Sequence, residues 1–533
     1  MSTETTKKVL IVGAGPVGSL TALTFHKRGW QVEIWEGRDD SRGTDVSPAN
    51  LRSINLAISS RGLEALKSVD PSLAEELLRS AIPMKGRMIH HTDGRQESQL
   101  YDPSTNQCIN SLPRPLLNLR LIQALPTDSD RMTIKFDTKL QRIDWAVHRA
   151  YGRQRVTPSD KKGNGKPGEE REQSHREGEL SGKGKDETRD VTADFDLVVG
   201  CDGSWSKVRQ EMMKVERVDF SQSFIPHAYI ELHMPPSENQ ETKFKIDEHH
   251  LHIWPRHSFM LIGLPNQDGS FTLTLFAPFS AIEALQTRAQ AEAFFDEHFP
   301  TAVDWVGRER VVDDFMKAPR GKLVTINASP SHHDSKALLL GDSSHSMVPF
   351  YGQGLNCGLE DVRVLNCMLE KHAVTSDKTP DGEDQALAEA LSEYSEIRGA
   401  DLQAICELAM ENYTEMRSSV LTPMHHLRRV IDSCLSRLFK PTPYTPLSTS
   451  TSSTNSTSRN TVAFPTSQVR GWSSLYSMVT FRPDVSYREA LRKERSQREI
   501  VAWMGRGVVG AAVSAVGIAG YKGLQLWGKR RSL

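Results

Sequence analysis

The chain has little that would place it outside the cell or on a nucleic acid. Its six cysteines include no CxxC pair, so the sequence predicts neither a disulfide framework nor a zinc ribbon and indicates a reducing compartment. Sixty-six basic and sixty-seven acidic residues give a formal net charge of −1, which leaves no general attraction for nucleic acid. The polar N-terminus runs directly into an apolar strand, so neither a secretory signal nor a cleaved transit peptide is expected.

Uniform globular composition is also lacking. At 533 residues and 38% hydrophobic composition the chain can bury a core but is too long for one ordinary domain. Two polar stretches interrupt it, an insertion at about 157–188 and a Ser/Thr-rich tract at about 441–466. Neither carries enough apolar side chains to order itself, so we expect both to be disordered.

Long apolar runs are absent until the C-terminus. Residues 507–528 contain few polar interruptions, Arg506 precedes them, and basic residues follow at 529–531. This length and these flanks predict a single membrane-spanning anchor over 506–528. The alternative is a Gly/Ala-rich helix packed within the protein, which the charged flanks disfavour.

A glycine-rich turn near the N-terminus is the first motif that carries chemistry. The apolar run Val9–Val12 is followed by Gly13, Gly15 and Gly18, and a helical pattern begins at once. These glycines allow a tight turn, close approach to a pyrophosphate, and close packing of helix on strand. Glu36 ends a second apolar strand, where its carboxylate can bind ribose hydroxyls and would repel a 2′-phosphate. The combination predicts an FAD or NAD site.

Two later motifs indicate which dinucleotide binds. Asp202-Gly203 follows the apolar run 197–199, and Gly341-Asp342 follows the run 337–340, with Pro349, Gly352, Gly354, Leu355 and Asn356 beyond it. Either motif alone is typical of an ordinary turn. All three in this order resemble the fingerprints of the aromatic-hydroxylase class of FAD monooxygenases. In that class NAD(P)H binds only transiently and does not use a second glycine-rich motif. The sequence likewise contains no second unit of strand, glycine turn and helix, so the glycine turn near the N-terminus does not argue for a dehydrogenase.

Finer resemblance comes from six segments: 52–62, 84–90 (MKGRMIH), 220–231 (FSQSFIPHAYIE), 252–256 (HIWPR), 412–417 (NYTEMR) and 475–481 (LYSMVTF). On these the chain resembles the kynurenine 3-monooxygenase family over about residues 8–500. The composition of the two polar stretches departs from most of the family, which affects loop lengths rather than the site.

The resemblance implies hydroxylation of L-kynurenine to 3-hydroxy-L-kynurenine, with FAD as cofactor and with NADPH and O2 consumed. The reaction passes through a flavin C4a-hydroperoxide and belongs to tryptophan degradation and NAD biosynthesis. The flavin carries the chemistry, so neither a catalytic side chain nor a metal is expected. The family also implies a location on the mitochondrial outer membrane, tail-anchored, with the catalytic domain facing the cytosol.

Particular site residues follow from the same resemblance. Arg87 and Tyr101 are expected to bind the amino-acid carboxylate, for which the planar fork of arginine is suited. The residues expected to close the substrate pocket are Asn412, Glu415, Met416 and Tyr476. Arg114 is expected near the flavin pyrophosphate, with Arg120 as a neighbouring competitor. Cofactor contacts are also expected from Gly13, Gly15, Gly18, Glu36, Asp202, Gly203, Asp342, Pro349, Gly352, Gly354, Leu355 and Asn356.

The fold class predicted is α/β, with a Rossmann-type FAD-binding domain interleaved with a β-sheet-rich substrate domain, a helical C-terminal region and one C-terminal transmembrane helix. The FAD-binding domain is assigned to 1–215 and 320–372, the substrate domain to 216–319 with parts of 85–115, and the helical region to 385–505.

Two other functions remain open at this stage. One is a lipid-epoxidase-like FAD monooxygenase with a membrane tail, which keeps every flavin motif but needs an apolar tunnel rather than Arg87 and Tyr101. The other is a tail-anchored flavoprotein scaffold whose FAD is structural.

His249, His250 and His252 alternate on a strand, but no carboxylate or cysteine spacing completes a metal site.

Overall fold

The computed structural model describes residues 5–43, 55–101, 107–156, 187–239, 242–379, 384–417, 422–444 and 469–504. The strands are β1 Lys8–Val12, β2 Gln31–Trp35, β3 Asn55–Ile58, β4 Ile82–Met84, β5 Gly86–His90, β6 Gln96–Leu100, β7 Ile109–Pro113, β8 Met132–Lys135, β9 Thr138–Asp144, β10 Arg149–Arg155, β11 Thr188–Asp194, β12 Leu197–Gly200, β13 Asp219–Met234, β14 His250–Arg256, β15 Phe259–Pro265, β16 Phe271–Pro278, β17 Gly321–Ser329, β18 His332–His333, β19 Ala337–Leu339 and β20 His345–Ser346.

The helices are α1 Pro16–Lys27, α2 Ser60–Val69, α3 Pro71–Arg79, α4 Arg114–Gln123, α5 Lys207–Met212, α6 Phe279–Glu283, α7 Arg288–His298, α8 Pro300–Val306, α9 Arg308–Lys317, α10 Gly354–Lys371, α11 Gln385–Arg417, α12 Pro423–Leu438 and α13 Leu475–Phe481. Residues 487–504 are also helical.

The nucleotide-binding sheet has the strand order β18-β19-β12-β1-β2-β8, and only β18 runs antiparallel to its neighbour. Its central strands are apolar on both faces because both faces are covered. Val9 and Ile11 of β1 pack into a core shared with α1 and α10. Leu10 and Val12 face the opposite core, which includes residues from the small antiparallel sheet β11-β10-β9.

The second large sheet has the order β20-β17-β13-β16-β15-β14-β5-β6. One face packs against α6 to α9, as the alternation of Phe271, Leu273 and Leu275 on β16 requires. The other face carries Phe276 and Ile262 into a core shared with α11 and α13. This second face forms one wall of the site described below.

A small sheet, β3-β7-β4, and the 33-residue helix α11 join the two large sheets. The C-terminal elements α12 and α13 follow α11. The α/β architecture predicted from the sequence is thus present, while the predicted domain boundaries stay a prediction.

One part of the predicted fold class has to be corrected, namely the C-terminal transmembrane helix. No helix in the described part of the chain is both long and apolar enough to cross a membrane. The physical reason is visible in α11, which is long enough but carries charged residues such as Glu396 and Glu411 along its length. The segment 506–528, to which the anchor was assigned, lies outside the described residues.

The two stretches predicted to be disordered also lie mostly outside the described residues, since 157–186 and 445–468 are not among them. At the end of the first stretch, Thr188 already belongs to β11, where it pairs with Arg155 of β10.

Candidate active site

The glycine turn between β1 and α1 leaves room for a phosphate. Gly13 has a φ of +101°, and a Cβ there would lie 2.4 Å from the carbonyl oxygen of Cys201. A Cβ on Gly18 would lie 1.9 Å from the carbonyl oxygen of Gly13, whereas one on Gly15 would meet no heavy atom of the described part of the chain within 4 Å. No side chain among the described residues caps the start of α1. Its first amides are therefore available to an anion, as a dinucleotide pyrophosphate requires.

Glu36, directly after β2, is positioned to bind hydroxyl groups. It is buried, and its Oε2 accepts a hydrogen bond of 2.7 Å from the backbone N–H of Ala14 in the glycine turn. Burial alone would raise the pKa of Glu36, but hydrogen bonds from Arg38 and from the backbone of Ala14 and Arg38 lower it. The carboxylate is therefore ionised, which suits the ribose hydroxyls of FAD.

Two adjoining cavities open beside this turn. The outer cavity, of about 920 Å³, is lined by Gly15, Glu36 and Arg114 among others. The inner cavity, of about 300 Å³, shares Gly15 and Arg114 and continues to Asp342 and Arg87. A long ligand that contacts the glycine turn midway can thus occupy both, which fits a dinucleotide with its adenosine in the outer cavity and its flavin in the inner one.

Arg114 and Arg120 compete for the position near the pyrophosphate, and the structure separates them. Arg114 is the first residue of α4 and lines both cavities. Arg120 lies in the last turn of the same helix, where its Nε is 3.4 Å from the carboxylate of Glu76. Of these two, Arg114 is therefore the one placed to reach a phosphate in either cavity.

Asp202 and Gly203 form the turn after β12. Oδ2 of Asp202 accepts hydrogen bonds from the backbone N–H groups of Lys207 and Val208, at 2.6 and 3.1 Å, and so holds the start of α5. Its Oδ1 is buried without a hydrogen-bond partner among the described residues. Burial raises the pKa of Asp202. Gly203, and not Asp202, is among the residues that line the inner cavity.

The third motif forms the floor of the inner cavity. Asp342 lies in a short 3-10 turn, lines the cavity, and has its pKa raised by burial. Gly352, Gly354 and Leu355 follow at the start of α10, and Gly352 has a φ of +65°. Pro349 also lines this cavity. Backbone groups and one carboxyl therefore face the space into which a flavin and its ribityl chain would fit.

Asn356 holds this loop in place rather than lining the cavity. Its Nδ2 donates to the carbonyl oxygens of Ala57 and Gly352, at 2.9 and 2.7 Å, and its Oδ1 accepts from the backbone N–H of Ser59 at 2.8 Å. The fully buried side chain thereby ties the flavin loop to β3. A motif of this kind cannot separate a contact residue from one that positions the contact.

Arg87 lies at the far end of the inner cavity inside an aromatic cage. Its guanidinium is 4.8 Å from the ring centroid of Tyr476, and its Nε is buried without a hydrogen-bond partner among the described residues. The Tyr476 ring stacks on those of Tyr101 and Tyr351, with centroids 4.7 and 5.8 Å apart. Burial acts to lower the pKa of Arg87, but these tyrosines and Glu415 raise it, so the cation persists. A buried cation with a donor of this kind still available is suited to a carboxylate ligand.

The predicted pocket residues on α11 take different positions. Met416 lines the inner cavity. Asn412 instead donates from Nδ2 to the carbonyl oxygen of Phe350 at 2.7 Å and contacts the sulfur of Met416. Glu415, half-exposed, lies 3.6 Å from Arg87. The structure therefore brings Arg87, Tyr101, Tyr476 and Met416 together, and places Asn412 behind the loop that lines the cavity.

Tyr351 was missed by sequence reasoning although it lines the cavity and belongs to the cage. It stands between Pro349 and Gly352, so its place inside the glycine-rich loop was the available signal. Burial raises the pKa of Tyr351, as it does for Tyr101 and Tyr476, and all three keep neutral hydroxyls.

A fully buried ion network supports the flavin loop from below. Arg398 of α11 donates from Nε and Nη2 to Oδ1 of Asp361, at 3.0 and 2.7 Å. Oδ2 of Asp361 accepts from the backbone N–H of Gly341 and contacts Nε2 of His345. Cys357 lies near His345 and Asp361, as a metal site would require, but Arg398 already contacts both Cys357 and Asp361. The cluster is therefore an ion-pair network.

Comparison with known proteins places this geometry in a family. A family profile described as FAD binding domain matches residues 162–398. The chain is 59% identical over 536 residues to the kynurenine 3-monooxygenase of Cryptococcus neoformans var. neoformans serotype D, covering 100% of both chains. It is 40% identical over 514 residues to that of Candida albicans, covering 96% of each. The chain belongs to the kynurenine 3-monooxygenase family. The prediction of an FAD-dependent monooxygenase of this family is thereby confirmed.

Solved structures support the fold. 2-Methyl-3-hydroxypyridine-5-carboxylic acid oxygenase matches with a TM-score of 0.55 at 17% identity, covering 78% of this chain and 94% of that chain. PqsL of Pseudomonas aeruginosa, in complex with 2-aminobenzoylacetate, matches with a TM-score of 0.55 at 16% identity, covering 77% and 97%. At these identities the likeness concerns the fold alone.

Proposed function

We propose that this protein hydroxylates L-kynurenine to 3-hydroxy-L-kynurenine, consuming NADPH and O2. The observation that carries the proposal is the position of Arg87, a buried cation that ends the same cavity whose floor carries Asp342 and Gly352. Kynurenine 3-monooxygenases at 59% and 40% identity over nearly the whole chain support it. A zwitterionic amino acid with an aromatic ring matches both ends of this cavity.

Arg87 binds the amino-acid carboxylate through its guanidinium, because its Nε has no hydrogen-bond partner in the described part of the chain and its charge is maintained. We assign the substrate ammonium group to Glu415, whose carboxylate lies 3.6 Å from Arg87. Tyr101 and Tyr476 stack beside the guanidinium and restrict its orientation. The substrate is thus held by its amino-acid end, and its ring is directed towards Asp342 and the glycine-rich loop.

Apolar side chains line part of the inner cavity, namely those of Ile262, Leu264, Phe276, Met347 and Phe350. These walls strengthen the contacts of Arg87 and limit the access of water to the reacting ring. The aniline amino group already activates the ring for electrophilic attack, so no acid or base is required of the chain at that carbon.

The chain fits FAD on its own residues: an open glycine turn, an ionised Glu36, Arg114 between the cavities and the backbone of the flavin loop. When bound, FAD accepts hydride from NADPH and delivers one oxygen atom from O2 to the ring. The two other functions considered above are not favoured. A lipid epoxidase has no use for a buried cation at the end of its cavity, and a scaffold has no use for a closed aromatic cage.

The test is NADPH oxidation by the FAD-loaded protein, with and without L-kynurenine, followed by mass analysis of the product. We expect stimulation and a product one oxygen atom heavier. 2-Aminoacetophenone is the matched control, because it keeps the ring and ketone but lacks the group that Arg87 binds, and it should stimulate weakly. A flavin-loaded sample that L-kynurenine does not stimulate would contradict the proposal.

The location on the mitochondrial outer membrane is a separate proposal that depends on the family resemblance alone. Fractionation of cells that express the full chain, with outer-membrane and cytosolic markers, would test it. Recovery of the protein away from the outer-membrane marker would contradict it.

A further inference from the structure

A buried hydrogen bond joins the C-terminal part of the chain to the wall of the inner cavity. Gln353 stands between Gly352 and Gly354, lines this cavity and is 2% exposed. Its Oε1 accepts a hydrogen bond of 3.2 Å from the hydroxyl of Tyr487, which lies 134 residues further along the chain. Tyr487 is not itself among the residues that line either cavity. Its hydroxyl therefore reaches the site only through Gln353.

Tyr487 is held in place from several sides. It is the first residue of the helix 487–504, whose start is capped because Oγ of Ser486 accepts a hydrogen bond of 3.2 Å from the backbone N–H of Glu489. Its ring is fully buried, with the centroid 4.1 Å from the guanidinium of Arg61. Arg61 also donates to the carbonyl oxygen of Val485 at 2.5 Å. The hydroxyl thus has a fixed position behind the cavity wall.

The hydroxyl of Tyr487 is the donor in this contact. Burial raises the pKa of Tyr487 well above its ordinary value, so the proton stays on the oxygen. An amide side chain has one acceptor oxygen and one NH2 donor, so a donor bound to the oxygen decides which group remains for other partners. Gln353 is left with its NH2 group, for which a carbonyl oxygen is a matching acceptor.

We propose that Tyr487 is a positioning residue whose hydroxyl holds the amide of Gln353, so that its NH2 group donates to a carbonyl oxygen inside the inner cavity. The flavin ring and the ketone of L-kynurenine both carry such an oxygen. The inference rests on the proposed function only where L-kynurenine is the ligand. Because Tyr476 of the aromatic cage belongs to the same C-terminal segment, residues 475–487 then act on both the substrate end and the floor of the cavity.

The test compares Tyr487→Phe with the parent protein in the full chain. Phenylalanine keeps the ring beside Arg61 and removes only the hydroxyl, so the FAD-free variant should unfold at a similar temperature. The Kd of FAD, or that of L-kynurenine in the FAD-loaded protein, should rise about 3- to 10-fold, as expected for one lost hydrogen bond. A rise for FAD with a shifted flavin absorbance spectrum identifies the flavin as the acceptor. A rise for L-kynurenine alone identifies the ketone.

Tyr151→Phe is the matched control. The ring centroid of Tyr151 lies 3.4 Å from the guanidinium of Arg142, so this tyrosine also packs against an arginine, but it lines neither cavity. Both Kd values and the flavin spectrum of this variant should match those of the parent.

A double-mutant cycle with Gln353→Met separates positioning from a structural role. Once the amide is absent the hydroxyl has nothing to hold, so Tyr487→Phe should add less than about twofold to the effect of Gln353→Met. Independent effects of the two substitutions would overturn the proposal. Tyr487→Phe with both Kd values within about twofold of the parent would also overturn it, whatever the variant's thermal stability.

Binding of L-kynurenine to the parent is measured first. A failure of the proposed function appears in that measurement, whereas a failure of the positioning role appears only in the comparison of variants. If the parent does not bind L-kynurenine, the FAD titration and the flavin spectrum decide the role of Tyr487 by themselves.

Discussion

Single residues decide the chemistry of this site through burial and charge. Arg87 keeps a positive charge inside the protein while one of its donors has no partner among the residues that the structure describes. Asp342 faces the same cavity with its pKa raised by burial. The two ends of the cavity thus offer a cation for the substrate and hydrogen-bonding groups for the cofactor, and each can be tested by one substitution.

Arg87→Lys should raise the KM for L-kynurenine by roughly 10- to 100-fold. Lysine keeps the charge but loses the planar pair of donors, and a hydrogen bond to a charged group contributes about 1.5–3 kcal/mol. FAD content, measured by absorbance, should not change. Arg95→Lys, on an exposed turn, serves as control and should behave as the parent does. An unchanged KM in the Arg87 variant would remove it from the substrate site.

Gly15→Ala and Gly18→Ala should fail in different ways. A Cβ on Gly15 meets no atom of the described residues within 4 Å, so this variant should fold with parental stability without cofactor and bind FAD more weakly. A Cβ on Gly18 would overlap the backbone of Gly13, so that variant should lose stability even without FAD. Thermal unfolding of the cofactor-free proteins and FAD titration separate the two effects. Equal losses of stability would show that Gly15 is not the point of cofactor approach.

Among the elements, α11 connects the two halves of the site. Arg398 near its middle holds Asp361 beneath the flavin loop, while Asn412 and Met416 near its end contact the loop and the inner cavity. A single helix therefore positions groups at both the cofactor and the substrate ends. Its bounds, Gln385–Arg417, agree with the helical spacing of the sequence.

Arg398→Met should lower the free energy of unfolding by about 3–5 kcal/mol, because it leaves Asp361 and Glu360 buried with one cation fewer. Both carboxylates are fully buried, and burial acts to raise their pKa while the arginines and His345 lower it. Chemical denaturation of the FAD-free protein gives the measurement. Arg495→Ala, which removes an exposed partner of Glu407, should change stability by less than about 1 kcal/mol. Similar losses in the two variants would contradict the importance of the buried network.

At the scale of the whole molecule, the site lies where separate parts of the chain meet. Arg87 comes from β5, Met416 from α11, Tyr476 from α13 and Asp342 from the turn after β19.

The eight-stranded sheet that supports Arg87 also buries a pair of histidines. His90 and His252 lie 2.8 Å apart between ring nitrogens, and His90 stacks on Trp254.

Burial, with nearby histidines, lowers the pKa of His90 to about 2 and that of His252 to about 4, from an ordinary value of 6.5. Above pH 6.5 both are neutral in the folded and unfolded states. As the pH falls below 6.5, these histidines take up protons in the unfolded chain but stay neutral in the folded protein, so the free energy of unfolding decreases. Each histidine should contribute about 1.4 kcal/mol per pH unit near pH 5.

His90→Gln should therefore reduce the slope of unfolding free energy against pH by about one proton between pH 6 and pH 4.5. Denaturant unfolding at several pH values gives the slope for both proteins. His249→Gln, at a half-exposed histidine directly before β14, is measured in parallel as the control. An unaltered slope in the His90 variant would show that His90 is protonated in the folded protein.

Much of the fold was predictable because its signals are local. The strand, glycine turn and helix of the nucleotide-binding unit lie within residues 8–27, and α11 shows its periodicity over its whole length. The roles of Asn356, Asn412 and Tyr351 were not predictable from such local signals. The sequence placed Asn356 and Asn412 among ligand contacts, while in the structure their amides bind backbone carbonyl oxygens of neighbouring loops.

The sequence by itself determined the family, the cofactor class and the order of the flavin motifs, because each motif is made of residues that are close together along the chain. Only the tertiary structure decided which of Arg114 and Arg120 reaches the cavities and which tyrosines surround Arg87. It also decided that Arg398 supports the flavin loop through Asp361. These contacts join residues that are far apart in the chain and become neighbours only when sheets and helices pack. Burial then sets their charges, and burial is a property of the folded molecule.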